Sequence, residues 1–259
     1  MAYGLHEHTV RAMILAAGHG TRLHPLTDTM PKPLLPIAGR PLIVWNLLLL
    51  RKHGITEVCI NLHYLGHLIE EELGDGSQLG LRIWYSREPI ILGTGGGIKQ
   101  AEPFFGGEPF LVINGDTLLD LDLTGMIAFH REHGGLATMA LRDDPEAERW
   151  GVIETDQQGR VVSITGKGGP RAHQDPTGIH RWMFAGIHVI DPLLLRDVPV
   201  SRETSIIDAY VSWLERDGDI YGYVMSGYWF DVGTPERYTQ AQRDADIGRI
   251  NLSARLVDS

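Results

Sequence analysis

Short apolar runs alternate with longer amphipathic segments along the first half of the chain. Residues 10–17 and 110–113 have the length and composition of strands that are buried on both faces, and glycine follows the first run at once. The segment 41–53 opens with proline and closes with basic residues before Gly54, which are helix start and stop signals. The pattern therefore predicts a β-α-β-α alternation up to about residue 120.

The same reading extends over the rest of the chain. Strands are predicted at residues 10–17, 57–62, 81–85, 110–113, 136–141, 151–155, 161–164, 182–190 and 220–225. Helices are predicted at residues 41–53, 64–73, 97–102, 123–133, 203–215 and from Thr234 onwards. This order is typical of an α/β fold with a Rossmann-like, doubly wound, mostly parallel mixed sheet and helices on both faces. The shorter strands after Asp116 indicate a more mixed second half.

Composition and charge narrow the class of protein. Of 259 residues 43% are hydrophobic, which suits a folded core, and the formal net charge of −10 argues against nucleic acid as the main partner. The single cysteine, Cys59, excludes an internal disulfide and suits a reducing compartment. The chain has no run of apolar residues long enough to span a membrane, and residues 1–9 lack the apolar core of a signal peptide. We expect a cytoplasmic protein without a membrane partner.

A glycine-rich loop comes directly after the first predicted strand. The loop contains one positively charged side chain, and a second positively charged side chain follows it in the sequence. Its sequence is Leu15-Ala16-Ala17-Gly18-His19-Gly20-Thr21-Arg22-Leu23, and Lys32 follows between two prolines. Glycines let backbone N–H groups approach anionic oxygens, and Arg22 and Lys32 supply positive charge, so the loop predicts a polyphosphate site. No Gly-Lys-Ser/Thr sequence occurs, which excludes a P-loop NTPase, and Leu23 stands where a dinucleotide-binding loop needs its third glycine.

Residues 15–36 resemble the signature of the sugar-1-phosphate nucleotidyltransferases, in which L-A-x-G-x-G-T-R-L-x-P-L-T is followed by P-K-P-L. Further motifs similar to those of the family follow in order at residues 92–95, 114–116, 150–154 and 228–236. The resemblance therefore covers almost the whole chain. It implies a Mg²⁺-dependent enzyme that forms an NDP-sugar and pyrophosphate from an NTP and a sugar 1-phosphate, supplies precursors of cell wall or polysaccharide, and can form a homodimer.

The resemblance also implies a role for each motif residue. Arg22 holds the β- and γ-phosphates, Lys32 contacts the α-phosphate, and Asp116 and Asp231 are the two Mg²⁺ ligands; these four are the catalytic candidates. The other implied nucleotide contacts are Leu15, Ala16, Ala17, Gly18, Gly20, Thr21, Glu88, Gly93, Thr94 and Gly115. The implied sugar-phosphate contacts are Gly151, Glu154, Lys167 and Thr234. Lys167 departs from the family pattern, which has Glu-Lys-Pro where this chain has Gly-Lys-Gly.

Glu88 bears on the choice of base. It stands five residues before the glycine of Leu92-Gly93-Thr94, at the position whose side chain contacts the base edge in this family. A carboxylate only accepts hydrogen bonds, and guanine presents N1–H and N2–H₂ side by side. Glu88 thus favours GTP, with mannose 1-phosphate or a related hexose or heptose 1-phosphate. Residues 95–98 resemble instead the short N-acetylmuramate 1-phosphate uridylyltransferases, so a UTP-dependent enzyme is the alternative.

The domain plan that the resemblance implies is a single nucleotidyltransferase domain over residues 1–259, without a carboxyl-terminal β-helix domain. We expect residues from about 10 to 120 to hold the nucleotide and those from about 121 to 259 to shape the sugar pocket. A non-catalytic nucleotide-sugar-binding regulatory protein is a second hypothesis, which the four catalytic candidates disfavour. A GTP-hydrolysing switch is disfavoured by the missing P-loop.

Overall fold

A computed structural model describes residues 10–173 and 178–250, so the predicted absence of a signal peptide at residues 1–9 concerns a segment outside the described residues. The strands are β1 (Ala12–Leu15), β2 (Pro36–Ile37), β3 (Arg40–Pro41), β4 (Glu57–Leu62), β5 (Arg82–Arg87), β6 (Phe110–Asn114), β7 (Thr117–Leu119), β8 (Ala137–Arg142), β9 (Val152–Thr155), β10 (Val161–Ile164), β11 (Lys167–Gly168), β12 (His180–Ile190), β13 (Ile220–Val224) and β14 (Trp229–Asp231). The α-helices are α1 (Leu42–Lys52), α2 (Gly66–Leu73), α3 (Gly93–Phe105), α4 (Leu123–His133), α5 (Ala147–Trp150), α6 (Ile206–Glu215) and α7 (Pro235–Asp246).

A ten-stranded mixed sheet runs through the described chain in the order β11-β10-β9-β12-β6-β1-β4-β5, while β8 pairs with β12 and β13 pairs with β8. The strands β6, β1, β4 and β5 are parallel, and β12 lies antiparallel to β6. The chain moves outward from β1 to β4 and β5, and then returns to place β6 on the other side of β1. Such a reversal creates a crevice at the carboxyl ends of the strands, where α/β sheets bind ligands.

Alternate residues of the central strands enter two separate apolar cores, as the two-residue period of a strand requires. In β1, Ala12 and Ile14 belong to the core that packs on α1, α2 and α4, whereas Met13 belongs to the core that packs on α3 and α6. The sheet is therefore covered on both faces, which explains why its central strands are apolar throughout. The predicted fold class, a mixed sheet with helices on both faces, is confirmed.

The helix α3 differs most from its predicted bounds of 97–102. The three glycines at 95–97 have low helix propensity, and on sequence alone they argue for a loop. In the structure a Cβ at Gly96 would lie 2.4 Å from the carbonyl oxygen of Arg202, and the Gly96 N–H donates to the Thr204 carbonyl at 3.3 Å. Close packing on a segment more than 100 residues away in the sequence thus overrides the local propensity.

Two other helices, α2 and α6, begin two and three residues later than predicted. Ser205 is the N-cap of α6, because its hydroxyl accepts from the Ile207 N–H, while the Thr204 N–H donates to the Leu92 carbonyl at 2.9 Å. Before α2, Leu65 has a left-handed backbone with φ 48°. The small antiparallel pair of β7 and β14 was not predicted. In the ranges 10–173 and 178–250, none of the helices combines the length and hydropathy that a membrane crossing requires.

Candidate active site

A cavity of about 490 Å³ lies at the carboxyl ends of β1, β4 and β6, the place that the strand order predicts. Every residue predicted to contact the nucleotide lines this cavity except Glu88. Lining residues that the sequence did not single out as contacts are His19, Leu23, Pro33, Asn61, Ile91, Asn114 and Gly233. Asn61 and Asn114 lie at the ends of β4 and β6, so a polar residue at the carboxyl end of a buried strand was the signal that could have found them.

The glycine-rich loop is held in shape by its own residues. Gly20 has φ +66°, a left-handed conformation that favours glycine, and its carbonyl accepts from the Thr27 hydroxyl at 2.9 Å. A Cβ at Gly20 would lie 3.1 Å from the Thr27 methyl group. Leu23 closes a short 3-10 turn and is fully buried, which anchors the turn that carries Arg22. The loop thus presents Arg22 to the cavity.

Lys32 is a buried cation with one carboxylate partner. It begins a 3-10 turn, Lys32–Leu34, between Pro31 and Pro33, so the backbone that carries it is stiff. Its side chain is 9% exposed, and its Nζ lies 2.7 Å from Asp116 Oδ2. A buried ammonium group requires such a partner. The pairing fixes Lys32 at the end of β6, on the wall of the cavity.

The pair of β7 and β14 brings the two predicted metal ligands together. Thr117 is the register partner of Asp231, and the Val232 N–H donates to the Asp116 carbonyl at 2.9 Å. Burial and the neighbouring carboxylate of Asp116 raise the pKa of Asp231, and the positive charges of Lys32, Arg237 and Arg22 oppose that rise. Two carboxylates from distant parts of the chain therefore share one small volume.

The carboxylate of Asp231 has an unsatisfied oxygen. Its buried Oδ1 accepts no hydrogen bond, and Arg237 Nε lies 3.4 Å from it. A Cβ at Gly233 would lie 2.4 Å from the same oxygen, so glycine keeps the space beside it free. A divalent cation would satisfy this oxygen, and the carboxylates suit Mg²⁺. Within residues 10–173 and 178–250 no cluster of three or more His, Cys, Asp or Glu side chains could hold a metal, so phosphate oxygens and water would complete the shell.

Glu88 lies beneath the cavity wall. The residue is 4% exposed, and its two carboxylate oxygens accept hydrogen bonds from Asn61 Nδ2 at 2.7 Å and from the Leu92 N–H at 2.9 Å. The predicted contact of Glu88 with the base edge stays a prediction, and in this arrangement the carboxylate is directed into the protein.

The four predicted sugar-phosphate contacts lie outside this cavity. Gly151 has φ +93° and precedes β9, on which Glu154 lies 3.7 Å from Arg181 Nε. Lys167 is exposed on β11. Thr234 is the N-cap of α7, because its hydroxyl accepts from the Arg237 N–H at 3.3 Å. Their contacts with a sugar phosphate stay predictions.

Arg237 is a site residue that the sequence reasoning missed. Its guanidinium lies over the rings of Phe230, at 4.3 Å from the centroid, and of Trp150, at 5.2 Å, while its Nε donates to the Asp231 carbonyl at 2.7 Å. Trp150 directly precedes Gly151, so Arg237 connects the predicted metal ligand with the predicted sugar segment. A cation in the first turn of the helix after Asp231 was the available signal.

The chain is similar to known proteins over most of its length. The family model for nucleotidyl transferases matches residues 11–246. The chain is 37% identical to the mannose-1-phosphate guanylyltransferase of Mycobacterium tuberculosis, over 92% of this chain and 65% of that protein. It is 38% identical to the N-acetylmuramate alpha-1-phosphate uridylyltransferase of Neisseria meningitidis, over 90% and 97%. HddC from Yersinia pseudotuberculosis, solved in complex with GMP-PN, superposes with a TM-score of 0.75 at 25% identity, over 91% of this chain and 99% of that chain. This protein belongs to the nucleotidyl transferase family.

Proposed function

We propose that this protein transfers a nucleotidyl group from an NTP to a sugar 1-phosphate, forming an NDP-sugar and pyrophosphate. The observation that carries the proposal is the meeting of Lys32 and Asp116 on the cavity that the glycine-rich loop lines, with Asp231 held next to Asp116 by the β7–β14 pair. A phosphate oxygen of the sugar 1-phosphate attacks the α-phosphorus, and the bond from that phosphorus to the oxygen of the leaving pyrophosphate breaks. This step is catalysed mainly by positioning and charge neutralisation.

Each charged residue has a part in that chemistry. Arg22 holds the β- and γ-phosphates and then the pyrophosphate that leaves. Lys32 neutralises negative charge that develops at the α-phosphoryl group, from a position that burial and two prolines keep fixed. Asp116 and Asp231 would hold Mg²⁺, which would supply positive charge to neutralise the reacting phosphates. The family is generally metal-dependent, which supports this assignment.

GTP with mannose 1-phosphate is the first candidate pair, supported by the mycobacterial relative. UTP with N-acetylmuramate 1-phosphate is the second, because the chain is 38% identical to the neisserial relative over 97% of that protein. In both cases residues from about 10 to 120 hold the nucleotide and the later residues hold the sugar, as parts of one domain. We propose a cytoplasmic setting, which the single cysteine supports.

A grid of substrates tests the proposal. Pyrophosphate release is measured with Mg²⁺ for GTP, UTP, dTTP, CTP and ATP against the 1-phosphates of mannose, glucose, N-acetylglucosamine, N-acetylmuramate and heptose. We expect one strong combination that requires both substrates. Nucleotide binding without release in every combination would contradict the proposal and favour the regulatory hypothesis.

A further inference from the structure

A buried chain of hydrogen bonds connects Glu88 with the loop that lines the cavity. Asn61, on β4, is 2% exposed, and its Oδ1 accepts from the Ala16 N–H at 2.8 Å. A backbone N–H can only donate, so the Asn61 oxygen must face Ala16 and its Nδ2 must face the other way. That Nδ2 donates to Glu88 Oε1 at 2.7 Å. The orientation of the Asn61 amide is thus fixed from both ends.

The second oxygen of Glu88 reaches another wall of the cavity. Glu88 Oε2 accepts from the Leu92 N–H at 2.9 Å, directly before Gly93 and Thr94, which line the cavity at the start of α3. The carboxylate therefore joins three chain segments: the end of β1 through Asn61, the end of β4, and the start of α3. Two donors face one side chain that has only acceptors, which is the arrangement a carboxylate satisfies and an amide does not.

The helix α3 packs closely against Glu88 and Asn61. A Cβ at Gly97 would lie 2.7 Å from Glu88 Oε1 and 2.8 Å from Asn61 Nδ2. Only glycine leaves room there, so the carboxylate and the amide are enclosed between the sheet and the helix. A buried hydrogen-bond network that is fully satisfied holds its neighbours in one geometry.

We propose that Glu88 is a positioning residue of the nucleotide site, which orients Ala16 through Asn61 and holds the start of α3 through Leu92, and that it does not select the base. The inference rests on the proposed function, because it takes a nucleotide as the ligand of this cavity. It revises the interpretation of Glu88 as a residue that favours guanine. A nucleotide of either base requires the same wall, so the effect of Glu88 is common to GTP and UTP.

The test uses two single variants and their combination. In Glu88→Gln the new N–H₂ group must face either Asn61 Nδ2 or the Leu92 N–H, and both of these groups are donors. In Asn61→Asp two carboxylates face each other. In the double variant Glu88→Gln with Asn61→Asp the polarity is reversed, and all three hydrogen bonds can form again: the new amide N–H₂ donates to the new carboxylate, which still accepts from the Ala16 N–H. Glu71→Gln, an exposed acid on α2, is the matched control.

Each protein is titrated with GTP and with UTP, and KM and kcat are measured for both nucleotides with the better sugar 1-phosphate. For each single variant we expect affinity for both nucleotides to fall about tenfold, as unpaired buried polar groups imply, with the GTP to UTP ratio within about twofold of the wild type. In the double variant we expect affinity for both to recover to within about threefold, and the thermal stability of the ligand-free protein to follow the same pattern.

Two results would overturn the inference. The first is a tenfold change in the ratio of GTP affinity to UTP affinity in Glu88→Gln, which a base contact predicts. The second is a double variant whose affinity and stability are no better than those of the worse single variant. Failure of the proposed function looks different. A wild-type protein that binds nucleotide without turnover would contradict the proposed enzymatic function. The affinity and stability of the variants would still decide the role of Glu88.

Discussion

Lys32 Nζ lies 2.7 Å from Asp116 Oδ2, although 84 positions separate the two residues in the sequence. Both residues line the same cavity as the glycine-rich loop. An ammonium group and a carboxylate are thereby fixed beside the place where a phosphate ester is expected to react. Such preorganised charge is the main source of catalysis in phosphoryl transfer.

Replacing Lys32 removes the buried positive charge while its stiff turn remains. For Lys32→Met we expect kcat to fall by about 10²–10³-fold, the usual effect of losing one charge-stabilising donor, while nucleotide still binds. Steady-state pyrophosphate release and a nucleotide titration measure the two effects. Lys52→Met, at the exposed end of α1, is the control and should behave as the wild type. A Lys32→Met protein with kcat within threefold of the wild type would exclude Lys32 from the reacting centre.

Replacing Asp231 should lower activity without lowering thermal stability. Burial and the nearby carboxylate of Asp116 make its negative charge unfavourable in the ligand-free protein, and its Oδ1 accepts no hydrogen bond. We therefore expect Asp231→Asn to unfold at the same temperature as the wild type or higher, and to lose about 10²-fold or more of kcat. Calorimetric titration with Mn²⁺ in the presence of nucleotide should show a lost metal site. The control is Asp246→Asn, which lies exposed at the end of α7. Unchanged Mn²⁺ binding by Asp231→Asn would contradict the assignment.

Arg237 should affect the sugar side more than the nucleotide side. It stacks on Trp150 and Phe230 and donates to the Asp231 carbonyl. A lysine keeps the charge but cannot reproduce a planar stack with a directed N–H. For Arg237→Lys we expect KM for the sugar 1-phosphate to rise about tenfold and nucleotide affinity to change less than threefold. Arg243→Lys, exposed on the same helix, is the control. An equal loss of affinity for both substrates would show that Arg237 supports the fold instead.

The buried His188 should make the free energy of unfolding depend on pH. Burial lowers its pKa to about 3; its Nδ1 pairs with the Tyr210 hydroxyl, and its Nε2 has no hydrogen-bond partner. The unfolded chain binds a proton at this residue below about pH 6.5 and the folded protein does not, so the free energy of unfolding should fall as the pH drops from 6.5 toward 3. The slope is at most about 1.4 kcal/mol per pH unit.

Denaturant unfolding at pH 7.5 and pH 5 measures this dependence. His188→Asn should lose less stability than the wild type between the two pH values, whereas the exposed control His67→Asn should lose as much as the wild type. Equal losses in His188→Asn and the wild type would contradict a neutral, buried His188.

Local patterns predicted much of the fold. The bounds of β4, β10 and α4 agree with the prediction, because an apolar run or an amphipathic segment between clear turn signals determines them. The part of the cavity lining that the glycine-rich loop forms was also predictable, since a loop directly after a buried strand lies at the sheet edge by chain order alone.

Contacts between distant segments could not be predicted in the same way. The start of α3 depends on Arg202 and Thr204, and the place of Arg237 depends on Trp150. The position of Glu88 in its motif does not say which way its carboxylate points, because that direction is set by donors from β4 and from Leu92. Periodicity and motif spacing contain no information about such pairings.

Nucleotidyl transfer can be observed in a single reaction mixture by ³¹P NMR. The wild-type protein is incubated with Mg²⁺, an NTP and a sugar 1-phosphate from the most active pair. We expect resonances of an NDP-sugar and of pyrophosphate to grow in equal amounts while those of both substrates decline. Neither product should form when the sugar 1-phosphate is left out. NDP with inorganic phosphate, or no change with any pair although nucleotide binds, would contradict nucleotidyl transfer.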